Sequence, residues 1–126
     1  MTLTFVETAV FSRRWDERFG DDAPRALQNL LLENPRAGAP IPGCAILRKL
    51  RFGDPGRGKG KRGGVRIVYL HTLEAARIDL IVVYGKEQSD DLSPSELAAA
   101  CSVARKIRAS LVRGAASARN KSGESR

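Results

Sequence analysis

The chain has 126 residues, 42% apolar and 29% charged, with 22 Lys and Arg against 14 Asp and Glu for a net charge of +8. Such a length suits one domain, and such an apolar fraction excludes a chain too polar to fold. No apolar run approaches the roughly 20 residues that cross a bilayer. The start, Met1-Thr2-Leu3-Thr4-Phe5-Val6-Glu7, lacks the basic region and long apolar core of a secretory signal, so a cytoplasmic protein is expected.

Charge is unevenly distributed. Between Arg48 and Arg66 stand eight basic residues and one acid, a net of +7, and from Arg105 to Arg126 seven basic residues and one acid, a net of +6. The remainder holds seven basic residues against twelve acids, a net of −5. Two basic segments on an acidic body point to a polyanionic partner: an acidic protein, a membrane surface or a nucleic acid.

In chain order, Leu3 to Val6 is a short β-prone run. Phe11, Trp15 and Phe19 then recur every four residues, which predicts a helix from Thr8 to Gly20 with an aromatic stripe in the core. Asp21-Asp22-Ala23-Pro24 predicts the start of a second helix, with acids at its cap and Pro in its first turn; Leu27, Leu30 and Leu31 supply its buried face. Asn34-Pro35 ends it, and residues 36–43 read as a loop. Strands are expected over 46–52, 65–70 and 78–84, the last two apolar at nearly every position, as in central strands. Their connections are too short for helical crossovers, so a largely antiparallel sheet follows. Ser93-Pro94-Ser95-Glu96 is a strong helix start, followed by Leu97, Cys101, Ala104, Ile107 and Leu111 at helical spacing. The order strand, two helices, three strands, helix describes a small α+β domain over residues 1–113, with 114–126 a basic flexible tail.

Cys44 and Cys101 lie far apart in sequence, and His71 is the one histidine. Cytosolic chains rarely keep structural disulfides and this set is poor for zinc, so two buried free thiols and no metal or cofactor are expected.

The basic strand-loop-strand carries the most chemistry. Lys49 and Arg51 project to one face of an extended strand and Arg48 to the other. The loop that follows interleaves Gly56, Gly58, Gly60, Gly63 and Gly64 with Arg57, Lys59, Lys61 and Arg62. Glycines admit close backbone approach while the basic side chains reach phosphates. The spacing fits neither nucleotide fingerprint and a strand follows, not a helix, which argues against a nucleotide-binding enzyme.

The strings Leu47-Arg48-Lys49-Leu50-Arg51, Gly56 to Gly64, Val65-Arg66-Ile67-Val68-Tyr69, and Leu80 to Ser93 resemble the RelE/ParE toxin superfamily in its HigB-like branch. The resemblance covers roughly residues 3 to 112. It implies the toxin of a bacterial type II toxin–antitoxin pair, a metal-independent endonuclease that cleaves mRNA on the ribosome and so inhibits translation. Its implied partners are a HigA-like helix-turn-helix antitoxin, operator DNA through that complex, the ribosome and mRNA, and no membrane. The family chemistry is attack of a ribose 2′-hydroxyl on the adjacent phosphate. By resemblance Lys49, Arg51, Arg66 and Lys86 are the catalytic residues, and Arg48, Arg57, Lys59, Lys61 and Arg62 contact RNA phosphates.

The chain departs from the RelE pattern after Gly85-Lys86. Glu87 and Ser93 stand where an arginine and a catalytic tyrosine are usual, and Ser93 is explained as a helix cap. The proton carrier stays open among Lys49, Glu87 and Asp90, with His71 at a turn position that favours a structural role. A non-catalytic module that binds RNA or inhibits another enzyme, and a general basic nucleic-acid-binding protein, are the alternatives.

Overall fold

The structure is a computed structural model that describes residues 2–53, 64–85 and 91–124, with side chains through 114. The basic loop residues Arg57, Lys59, Lys61 and Arg62, and with them Lys86, Glu87 and Asp90, lie outside the described residues. The elements are β1 (Thr4–Glu7), α1 (Ala9–Phe19), α2 (Arg25–Glu33), β2 (Ala39–Ile41), β3 (Cys44–Phe52), β4 (Val65–Thr72), β5 (Arg77–Gly85) and α3 (Pro94–Glu124). A single 3₁₀ turn, Leu73–Ala75, joins β4 to β5.

The five strands form one sheet in the order β1-β5-β4-β3-β2. Only β1 is parallel to its neighbour; the other three pairings are antiparallel. Between Val68↔Val82 and Tyr69↔Leu80 the register shifts, making Ile81 an extra residue in β5. Ile81 turns towards α3, and its carbonyl accepts from the Thr8 hydroxyl at 2.7 Å.

One face of the sheet is covered by α1 and α2. Phe11, Trp15, Leu27 and Leu31 pack there on Leu50, Phe52, Val65, Ile67 and Tyr69. The aromatic stripe is core, as its spacing implies: the Trp15 ring lies 4.1 Å from Phe19 and 5.7 Å from Phe11 between centroids. Helix α1 starts on Thr8, whose hydroxyl accepts from the Phe11 amide. It ends at Gly20, whose φ of 67° suits a residue without Cβ.

The opposite face carries α3. Ala100, Cys101 and Ala104 present small side chains to Leu47, Val68, Leu70, Ile81 and Tyr84. The start of this helix is the capping box that the sequence announces. The Ser93 hydroxyl accepts from the Glu96 amide at 3.2 Å, and the Glu96 carboxylate accepts from the Ser93 amide at 2.9 Å.

Four expectations are corrected. Cys44 and Cys101 are not free thiols but a disulfide, their Cα atoms 6.0 Å apart at a sequence separation of 57. Packing of α3 across β3 creates that proximity, which no local pattern encodes. Residues 39–41, read as loop, form β2 against β3. The acids before Pro24 do not cap α2: it begins at Arg25 on Pro24 with no side-chain cap, and the Asp22 carbonyl accepts from the Trp15 indole instead. Finally, the segment after residue 113, read as a flexible tail, is helical to Glu124. Ala115, Ala116 and Ala118 in this segment are strong helix formers.

The Tyr69 side chain and a close backbone approach at Gly38 hold the chain between α2 and β3 in place. The fully buried Tyr69 hydroxyl donates to the Pro35 carbonyl at 2.8 Å and accepts from the Gly38 amide at 3.0 Å. Burial raises its pKa, so the phenol stays protonated and able to donate. A Cβ at Gly38 would lie 2.9 Å from the Lys49 carbonyl oxygen and 3.0 Å from the Tyr69 ring, so the close approach requires glycine.

These contacts generate two expectations. Reducing the disulfide removes a cross-link that a chain-entropy estimate values at about 4 kcal/mol for a loop of this size; thermal melts with and without a thiol reductant are expected to show a large drop in Tm. An unchanged Tm would refute a stabilising cross-link. Tyr69→Phe leaves the Gly38 amide without its acceptor, a loss of roughly 1–3 kcal/mol read by denaturant unfolding.

Candidate active site

The antiparallel register decides which basic side chains meet. Arg51 stands directly opposite Arg66 across β3 and β4, and Arg66 directly opposite Tyr84 across β4 and β5. Lys49, two residues before Arg51, projects to the same face, opposite Val68. Lys49, Arg51, Arg66 and Tyr84 therefore form one patch on the α3 side of the sheet, where the strands run past the start of the helix.

This patch is electrostatically unusual. Arg66 is only 3% exposed and lies beside a second arginine. Like charges directly opposite on neighbouring strands repel, and a buried guanidinium needs compensating partners. The carboxylate of Asp91 provides negative charge at this place. It accepts from the Lys49 ammonium at 2.5 Å, the side chains being 32% and 76% exposed respectively. The hydrogen bond and charge of Lys49, aided by the charge of Arg66, hold the Asp91 carboxyl below its ordinary pKa. Its ion pair is thus present at neutral pH and lost only in acid, below the ordinary carboxylate range.

Beside the patch lies a cavity of about 230 Å³. Among the described residues, Ile41 at the end of β2, Pro42 just after it, Leu92 and Leu97 around the start of α3, and Tyr84 form its walls, with Lys49 and Asp91 as charged members. The disulfide joins the first residue of β3 to α3 one turn beyond Leu97, tying two of these walls together.

Other residues singled out from the sequence lie elsewhere. Arg48 points to the opposite face, where its guanidinium donates to the carbonyls of Gly38 at 2.5 Å and Arg36 at 3.5 Å. His71 also lies away from the patch. Its burial, and then the charges of Arg48 and Arg36, lower its pKa, so the imidazole is neutral at physiological pH. Ser93 is committed to the helix cap. Among the described residues, no group of three or more His, Cys, Asp or Glu gathers as a metal site would require. Nor, among them, is any helix long and apolar enough to cross a membrane.

Two members of the patch are not evident from sequence motifs. Tyr84 reads as one more apolar strand residue, and only its pairing with Arg66 brings it to the cations. Asp91 reads as part of an acidic connector, although its position shortly before a capped helix is a usable clue.

No profile of a known protein family matches the sequence. Among solved structures, the architecture is similar to that of Escherichia coli toxin RelE, in a doubly substituted variant in the free state. The match has a TM-score of 0.50 at 21% identity and covers 71% of this chain and 90% of that one. The chain has a RelE-like fold. It is an α+β arrangement in which a mixed five-stranded sheet carries helices on both faces.

Repulsion across the patch is open to direct measurement. Arg51→Ala removes the exposed member of the opposed arginine pair and is expected to leave stability unchanged or raise it by about 0.2–1 kcal/mol at low salt. Urea unfolding at two ionic strengths checks this, the gain shrinking as salt screens the charges. A loss of stability that is independent of salt would contradict it.

Proposed function

We propose that this protein is the toxin of a type II toxin–antitoxin pair and acts as a ribosome-dependent mRNA endonuclease. The observation that carries the reading is the alignment of Lys49, Arg51 and Arg66 on one sheet face, within a RelE-like fold. Three cations side by side suit a phosphodiester whose charge grows in the transition state.

In the proposed reaction a ribose 2′-oxygen gives up its proton and bonds to the neighbouring phosphorus, while the bond from phosphorus to the 5′-oxygen of the next nucleotide breaks and that oxygen takes up a proton. Lys49, Glu87 and Asp90 are the candidate proton carriers. The products are a 2′,3′-cyclic phosphate and a 5′-hydroxyl. Arg66 is held by its burial in the sheet, so it meets the developing phosphorane charge with little reorganisation. Arg51 lies opposite it and binds a second non-bridging oxygen. Lys49 holds the phosphate in line with the attacking oxygen. Lys86 is assigned to the same cationic set, and Arg57, Lys59, Lys61 and Arg62 to the flanking RNA backbone, as the resemblance implies. Arg48 is assigned a phosphate contact on the same ground, although its guanidinium is engaged by the Gly38 and Arg36 carbonyls. The proposed partners are a HigA-like antitoxin, operator DNA reached through it, and the ribosome with its message, in the cytoplasm.

A second reading is favoured by one observation. No tyrosine follows β5 before α3, and Ser93, at the usual place of the base, is spent on the helix cap. A module that binds RNA or inhibits another enzyme without cleavage is consistent with that loss.

Expression without an antitoxin separates the two. The nuclease reading expects growth arrest and new 3′ ends in ribosome-associated messages. Removing one group that stabilises transition-state charge typically costs about 10²–10³ in rate, so Arg66→Ala is expected to relieve the arrest, as is Lys49→Ala. Growth arrest without new 3′ ends would favour the binding module, and full toxicity of the Lys49/Arg66 double alanine variant would overturn the catalytic assignment.

A further inference from the structure

The cavity beside the cationic patch has a composition that phosphate binding does not explain. A site for phosphate alone needs donors and positive charge, and Arg51 and Arg66 already supply them. Ile41, Leu92, Leu97 and the Tyr84 ring instead form apolar walls that adjoin the cations. At about 230 Å³ the space is smaller than the roughly 300–1,000 Å³ that houses a drug-sized ligand. It suits a flat fragment, one aromatic base, rather than a whole cofactor.

Among the described residues of the lining, Asp91, held in place by Lys49, adds a carboxylate acceptor beside the apolar walls. A carboxylate there suits the N–H donors on the edge of a nucleobase. Asp91 stays ionised because Lys49 lowers its pKa, so it only accepts. Guanine, with two adjacent N–H donors on its Watson–Crick edge, satisfies a bidentate carboxylate better than uracil, which has one.

We propose that this cavity is a nucleobase subsite. It takes the base of the nucleotide whose phosphate rests on Arg51 and Arg66, and Asp91 reads the edge of that base. The assignment of mRNA as the source of that nucleotide rests on the nuclease reading; the subsite itself does not require cleavage.

The test is titration calorimetry on the full chain with 3′-guanosine monophosphate, 3′-uridine monophosphate and inorganic phosphate. Both nucleotides are expected to bind more tightly than phosphate, guanosine by about tenfold or more, at the lower end of what stacking one base on an aromatic ring contributes. Leu97→Trp fills the cavity and is expected to abolish that advantage while phosphate still binds. Pro42→Trp, at an exposed turn, is a second filling variant should the first fail to fold. Asp91→Asn is expected to level guanosine with uridine. Nucleotides binding no better than phosphate, or an advantage that survives in both filling variants, would overturn the subsite. A guanosine preference unchanged in Asp91→Asn would overturn the role of Asp91. The outcome also separates the two proposals. A nucleotide advantage without message cleavage refutes the nuclease and keeps the subsite, whereas cleavage without a nucleotide advantage refutes the subsite alone.

Discussion

With β4 fixed, a slip of one residue between β3 and β4 would turn Lys49 and Arg51 away from α3 and from Arg66, into the aromatic core under α1. The candidate site depends on that register. Burial on both faces holds it: Leu50, Phe52, Val65, Ile67 and Tyr69 face one core, and Leu47, Val68 and Leu70 the other. With both faces apolar, no slipped pairing satisfies either. The Tyr69 hydroxyl and the tight approach of Gly38 to Lys49 fix the same strands from the side of β2. The opposed arginines are thus sustained by packing elsewhere in the sheet, since their own pairing opposes it.

Helix α3 serves the site in a different way. Its most buried residues facing the sheet, Ala100, Cys101 and Ala104, are small, with Leu97 and Ile107 only partly buried beside them, and the Cys44–Cys101 bond adds a covalent attachment at that interface. The capping box fixes where the helix begins, and the residues just before it carry Asp91 to Lys49. A cavity wall made by a helix start and a strand turn is therefore tied together at both levels, by hydrogen bonds at the cap and by a disulfide further along. The gap between strand turn and helix lies directly beside the cations.

Much of this was legible in the residues. The stripe Phe11, Trp15 and Phe19 reports a buried helix face because its four-residue spacing has one geometric meaning. Ser93 and Glu96 announce their helix for a similarly local reason. Alternation in β3 is enough to separate Arg48 from Lys49 and Arg51, and the structure does place them on opposite faces. Strand β2 escaped notice because three residues containing a proline carry almost no periodic signal. The disulfide escaped because 57 residues separate its ends, and the inference from redox compartment pointed the other way.

What the sequence determined by itself is therefore the local and the cumulative: element types, helix caps, which face of a strand is apolar, and the concentration of positive charge between Arg48 and Arg66. These follow from interactions among near neighbours or from simple counting. Tertiary structure alone decided which distant side chains meet. Arg51 faces Arg66, Arg66 faces Tyr84, Lys49 holds Asp91 and Cys44 bonds Cys101 because strand register and helix docking are settled by burial summed over whole faces. Such sums have no short-range signature. A basic segment read along the chain became, once folded, a row of cations bordered by an apolar cavity.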